Sequence, residues 1–134
     1  MKKHYLVDTN VIIDMLLDRE DADAACAVMD GAERGEYVLH LCSLSFTNIY
    51  YSLRKLLSHE ERIDCLLQLS EVIEPQPVDG EVLRHALCSE WKDFEDAVQY
   101  FAAKSNTHIS GIITRNIKDF RLSDIEVLDS RSFL

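Results

Sequence analysis

The chain has 134 residues, 47% of them apolar, which supplies a sizeable core for one domain and argues against wholesale disorder. Its 14 Lys and Arg stand against 24 Asp and Glu, a formal net charge of -10 that disfavours non-specific attraction to polyanions. A polyanionic partner would therefore need bound cations, a separate basic patch or a basic companion protein.

In chain order, Tyr5-Leu6-Val7 reads as a short buried strand that stops at Asp8. Asp8-Thr9-Asn10 offers capping side chains ahead of a helix over Val11–Leu17, and a second helix follows from Asp21 to Ala32. Tyr37–Cys42 is a second strand. Ser43 or Ser45 can cap a helix whose apolar residues Phe46, Ile49, Tyr50, Leu53, Leu56 and Leu57 recur at three and four. Glu60–Val72 gives another amphipathic helix. Val72–Val78 reads as an edge strand, because Pro75 and Pro77 forbid full ladder pairing. Asp79 caps a helix through Leu87, and Asp93 caps one holding Ala97, Val98, Phe101 and Ala102. His108–Thr114 and Ile125–Leu128 are the last strands, with a closing turn over Ser130–Leu134. Strands alternating with helices predict one α/β domain over residues 1–134, a parallel sheet covered on both faces.

Cys26, Cys42, Cys65 and Cys88 show no Cys-x-x-Cys spacing, so a structural zinc or a thioredoxin-like centre finds no support. The amino terminus meets Asp8 before any signal-like apolar stretch forms, and no run approaches the ~18 apolar residues of a membrane span. The chain reads as cytoplasmic, with no membrane partner. His4, His40, His59 and His108 show no metal-ligand spacing and read as structural.

In an open parallel sheet, functional groups collect beyond the carboxyl ends of the strands. Asp8 follows the first strand and Thr114-Arg115-Asn116 the fourth. Asn48 lies one turn into the helix after the second strand, and Asp96 near the start of the helix before the fourth. All four positions can face one cleft. Two like charges about 4 Å apart repel by roughly 4 kcal/mol at an effective dielectric of 20, so clustered carboxylates either hold a proton or bind a cation. Oxygen ligands with no nearby His or Cys favour Mg²⁺ or Mn²⁺ over Zn²⁺. Such an ion binds a phosphate oxygen and lowers the pKa of an attacking water.

Val7-Asp8-Thr9-Asn10-Val11-Ile12-Ile13-Asp14 resembles the opening strand and turn of PIN-domain nucleases. Asp93-Phe94-Glu95-Asp96-Ala97 resembles their third-acid segment, and Thr114-Arg115-Asn116-Ile117-Lys118-Asp119-Phe120 their last motif. The three run in the right order over essentially the whole chain. The resemblance implies a three-layer α/β/α fold with a five-stranded parallel sheet of order 3-2-1-4-5. It also implies a metal-dependent ribonuclease that hydrolyses single-stranded RNA, often a toxin neutralised by a small antitoxin protein, and often a homodimer.

By position, Asp8, Asp96 and Asp119 would be the catalytic, metal-holding acids, with Mg²⁺ or Mn²⁺ as cofactor. Thr9, Asn10 and Thr114 would hold contacts around them, with Glu95 supplementing the acids. Arg115 and Lys118 would border the cleft and hold the RNA backbone. The sequence departs from the family at Asn48, where a Glu is usual, and at Asn116, where an acid often follows Thr-Arg; Asp119 reaches the cleft from the next turn instead.

Other readings stand beside these. Asp8 and Asn10 fit helix caps, Asp93 an N-cap, Asp14 a solvated helix residue, and Asn116 a turn. Asn48 and Asn116 motivate a PIN-like module that binds RNA or protein without cutting. A phosphoacceptor signalling domain shares the parallel sheet, but Leu41-Cys42-Ser43 lacks its acceptor acid and Thr114-Arg115-Asn116 its lysine.

Overall fold

Five short strands pair side by side, all parallel, in the spatial order third-second-first-fourth-fifth. The computed structural model describes residues 1–134. The strands are β1 (Lys3–Val7), β2 (Tyr37–Cys42), β3 (Ile73–Gln76), β4 (Ile109–Thr114) and β5 (Glu126–Asp129). Six helices connect them: α1 (Thr9–Leu16), α2 (Ala22–Glu33), α3 (Ser43–Ser52), α4 (His59–Val72), α5 (Gly80–Leu87) and α6 (Phe94–Lys104). Short 3₁₀ turns at Ile117–Phe120 and Ser130–Phe133 flank β5.

The period of two along each strand sorts its side chains onto two faces. Tyr5, Val7, Leu39, Leu41, Ile73 and Ile113 point toward α1, α2, α3 and α4, where they meet Ile12, Val28, Ile49 and Leu69. Leu6, Cys42 and Ile112 point the other way, against Val82 and Ala86 of α5 and Ala97, Val98, Ala102 and Ala103 of α6. Each fully buried Leu, Ile or Val contributes about 1.5–3 kcal/mol by leaving water. The sheet therefore lies between two helical layers, as the alternation of elements predicts. Gly111 is required where β4 runs closest to its neighbours: a Cβ there would lie 3.1 Å from the Glu126 carbonyl oxygen and 3.2 Å from Tyr5 Cδ1.

Most element boundaries shift by one or two residues, and those of α1 and α3 have a local cause. The first helix begins at Thr9 rather than Val11, because Asp8 itself is the N-cap and accepts from the Asn10 N–H. The third stops at Ser52, so Leu56 and Leu57 fall in a turn whose N–H groups donate to the Leu53 carbonyl. That turn lets Leu57 fold back onto the core before Ser58 and Glu61 start α4 with a reciprocal capping box. Neither Ser43 nor Ser45 caps α3: Cys42 precedes it without a side-chain bond, and Ser45 is buried against Thr9. β3 lies at the sheet edge, where Pro75 is tolerated. No helix is long and apolar enough to cross a membrane.

Candidate metal and active site

β1 and β4 are adjacent and parallel, so their carboxyl ends bring Asp8 and Thr114 together. The Thr114 hydroxyl donates to Asp8 Oδ2 at 2.8 Å, and Thr114 Oγ1 in turn accepts from the Asn116 N–H at 3.1 Å. Asp8 Oδ1 accepts from the Gln99 amide at 3.0 Å and from the Asn10 N–H at 3.3 Å. The orientation of Gln99 follows from its other end, where Oε1 accepts from the Thr9 N–H at 3.0 Å and from the Thr9 hydroxyl at 3.1 Å. A backbone N–H can only donate, so the Gln99 oxygen faces Thr9 and its nitrogen faces Asp8. Ser45 completes the chain, its hydroxyl 2.6 Å from Thr9 Oγ1.

Asp8, Thr9, Ser45, Gln99 and Thr114 are all at most 3% exposed. Burial pushes the Asp8 carboxyl above its ordinary range, against the lowering effect of Gln99, Thr114, Asn10 and Arg115. A buried carboxylate that accepts three hydrogen bonds is held in one orientation, which is what a metal ligand or a positioned base requires.

α6 precedes β4, so its amino terminus lies over the carboxyl edge of the sheet. Asp93 caps it, accepting from the Asp96 N–H at 3.0 Å. The Asp96 side chain is 8% exposed and receives no hydrogen bond. Its pKa is raised to about 7, by burial first and then by the charges of Asp8, Asp93, Asp119 and Glu95. Glu95 is raised as well, by burial and by Asp8 and Asp93. The Cys42 thiol is pushed up to about 12, by burial and then by Asp8 and Glu95, so it remains a neutral thiol.

Two hollows open on either side of the α6 terminus. Asn48 and Glu95 meet in one, lined also by Leu44, Phe94, Val98 and Gln99, where Asn48 donates to Glu95 at 3.1 Å. Asp93, Asp96, Lys118 and Asp119 line the other. Asp119 there accepts from the Asn116 amide at 2.8 Å.

The family model described as PIN domain matches residues 4–118. The chain belongs to the PIN-domain family. No curated protein sequence matches it. Among solved structures, it resembles VapBC-1 of nontypeable Haemophilus influenzae, with a TM-score of 0.69, 19% identity and coverage of 95% of this chain and 98% of that one. A toxin–antitoxin complex from Klebsiella pneumoniae gives 0.68 and 20%, covering 94% and 97%. VapBC2 of Rickettsia felis, solved with a promoter DNA fragment, gives 0.65 and 14%, again covering 94% and 97%. These likenesses carry the fold, a PIN-like sheet of order 3-2-1-4-5.

In this PIN domain the structure gathers Asp8, Asp96, Asp119, Glu95, Asn48, Thr9, Thr114 and Asn116 at one end of the sheet. Asn10 contributes its backbone N–H. Arg115 is engaged by a buried acid: Nη1 donates to Asp14 Oδ1 at 3.1 Å, and Asp14 is 1% exposed. Asp14 is thus a buried residue and not a solvated one, with burial raising its pKa and Arg115 opposing that rise; its Oδ2 has no partner. Sequence reasoning missed Gln99. The available signal was its place three residues after Asp96, a polar side chain within the apolar run Ala97-Val98 to Ala102-Ala103.

Proposed function

We propose that this PIN domain is a divalent-cation-dependent ribonuclease that hydrolyses phosphodiester bonds of single-stranded RNA. The observation that carries this reading is Asp96: a buried carboxyl with no donor, set among Asp8, Asp93, Glu95 and Asp119. Neutral pH leaves that cluster with more negative charge than its hydrogen bonds offset, and a cation relieves it.

The donor set fits Mg²⁺ or Mn²⁺. It is all oxygen apart from an un-ionised thiol, and Mg²⁺ keeps several waters while binding through one or two carboxylates. No three His, Cys, Asp or Glu side chains converge as a closed cage, so an ion here would complete its shell with water. Asp8 and Asp96 would hold it directly, with Asp119, Glu95 and the Asn48 carbonyl at its margin. Bound there, the cation would supply an activated water and neutralise charge on the phosphate.

The chain's own residues do the rest. Gln99 and Thr114 fix the Asp8 carboxylate. With its pKa raised to about 7, Asp96 is about half protonated at neutral pH and would give up that proton to a bound cation. Thr9 and Ser45, both buried, hold Gln99 in the orientation that serves Asp8. Lys118 lines a pocket with Asp93, Asp96 and Asp119, which supports a role in holding a phosphate oxygen.

The likeness to a toxin–antitoxin complex from Klebsiella pneumoniae supports a further part of the proposal. This chain acts in the cytoplasm as the toxin of such a pair, restrained by a small antitoxin protein, and is able to form a homodimer. Its four free cysteines suit a reducing compartment.

Asn48 motivates a second reading, a PIN-like module that binds RNA or protein without cutting, because an amide brings neither charge nor base. The test is cleavage of a labelled single-stranded RNA with Mg²⁺ or Mn²⁺. The nuclease reading expects cleavage that disappears in chelator and in Asp8→Asn and Asp96→Asn. Cleavage that survives both substitutions removes the site assignment; absence of cleavage with either metal favours the binding module.

A further inference from the structure

An acidic chain that handles RNA must place its few free cations with care, and three of them lie beside the acids. Lys92, just before α6, and Lys118 and Arg121, on the turn after β4, line a 150 Å³ pocket together with Asp93, Asp96 and Asp119. Three bases and three acids share this hollow, yet none of the six joins an ion pair within 4.0 Å. Lys2, Lys3, Arg19, Arg54, Lys55, Arg62 and Arg84 are likewise free of ion pairs, but only Lys92, Lys118 and Arg121 share a pocket with the acid cluster.

Opposite charges 4 Å apart attract by about 1–4 kcal/mol between water and a surface dielectric of 20. Lys118 lies on the 3₁₀ turn Ile117–Phe120 and Arg121 caps its end, and both line this pocket. Asp119 is meanwhile held by Asn116, and Asp93 by the α6 backbone. The pocket is left with an acidic wall and a basic wall and no bond between them. A phosphate group fits against the basic wall, where its oxygens would meet Lys92, Lys118 and Arg121.

We propose that Lys92, Lys118 and Arg121 form a phosphate subsite that holds the backbone of single-stranded RNA directly beside the acid cluster. Arg115 has no part in it, being committed to Asp14. The inference rests on the ribonuclease reading and assigns the residues that would position its substrate.

The test is RNA binding by the full chain in chelator, followed by the fluorescence anisotropy of a labelled single-stranded oligonucleotide between about 50 and 200 mM salt. Each phosphate contact on a single strand contributes about 0.7 to the slope of log affinity against log salt. The triple variant Lys92→Gln, Lys118→Gln, Arg121→Gln should lower that slope by about 2 and weaken binding at least tenfold at the lower salt. Lys55→Gln, on the turn after α3, should leave both unchanged. Since all three residues lie on the surface, circular dichroism should report an intact fold. A triple variant that keeps the original slope overturns the subsite, as does an unaltered chain that binds inorganic phosphate but no RNA. Chelator separates the two proposals. If the unaltered chain does not cut with Mg²⁺ while the slope still falls, only the nuclease reading fails; if it cuts while the triple variant keeps its slope, only the subsite fails.

Discussion

Asp96→Asn should stabilise the metal-free chain, and increasingly so as pH rises. The Asp96 carboxyl has its pKa raised from 3.8 to about 7, chiefly by burial and then by Asp8. A carboxyl raised on folding binds its proton more tightly in the folded state, so stability falls as pH climbs from about 4 to about 7 and levels off above. At about 1.4 kcal/mol per unit, the full cost of ionised Asp96 is about 4–5 kcal/mol, of which roughly 2–3 kcal/mol accrues between pH 5 and pH 8. Asn has nearly the same shape and never ionises. Urea unfolding in chelator should therefore show its advantage over the unaltered chain growing by about that amount between the two pH values. Relaxation around the carboxylate would shrink the figure without changing its sign. A difference that stays constant with pH would refute the placement of Asp96 within a charge cluster.

Gln99→Leu should cost about 2–4 kcal/mol in urea unfolding, because it strands the buried Thr9 N–H and removes a donor from Asp8; faster hydrogen exchange at the Thr9 amide checks the mechanism. Thr114→Val keeps the side-chain shape but removes the 2.8 Å bond to Asp8, and calorimetry should find Mn²⁺ affinity reduced at least severalfold. Arg115→Ala should destabilise by about 1–3 kcal/mol, since it leaves Asp14 buried and unpaired, and adding Asp14→Asn should recover most of the loss. Asn48→Glu should tighten Mn²⁺ binding by placing another carboxylate opposite Glu95, and should lower stability in chelator for the same reason.

Legibility in the sequence tracked distance along the chain. The strand-ending Asp8 and Thr114 could be placed because a parallel sheet collects such positions at one edge, and the helices flanking β4 followed from ordinary caps and periodicity. The strand order came from family resemblance, since local patterning says nothing about which strand lies beside which. Gln99 was hidden because its partners Thr9 and Asp8 lie 90 and 91 residues away, and an amide in a helix looks like surface until they are seen. Arg115 misled in the same way, its buried partner Asp14 being 101 residues distant. The end of α3 at Ser52 was illegible for another reason. Leu53, Leu56 and Leu57 continue the helical spacing, and only the reversal into α4 shows that tertiary packing cut it short.

The central claim is that a divalent cation takes the place of the proton on Asp96. Titration calorimetry of Mn²⁺ into the metal-free chain, in buffers of differing ionisation heat, reads both events at once. A carboxyl with a pKa of about 7 should release about 0.9 of a proton per bound ion at pH 6 and about 0.1 at pH 8. Absence of Mn²⁺ uptake, or uptake with no proton released at pH 6, would contradict it.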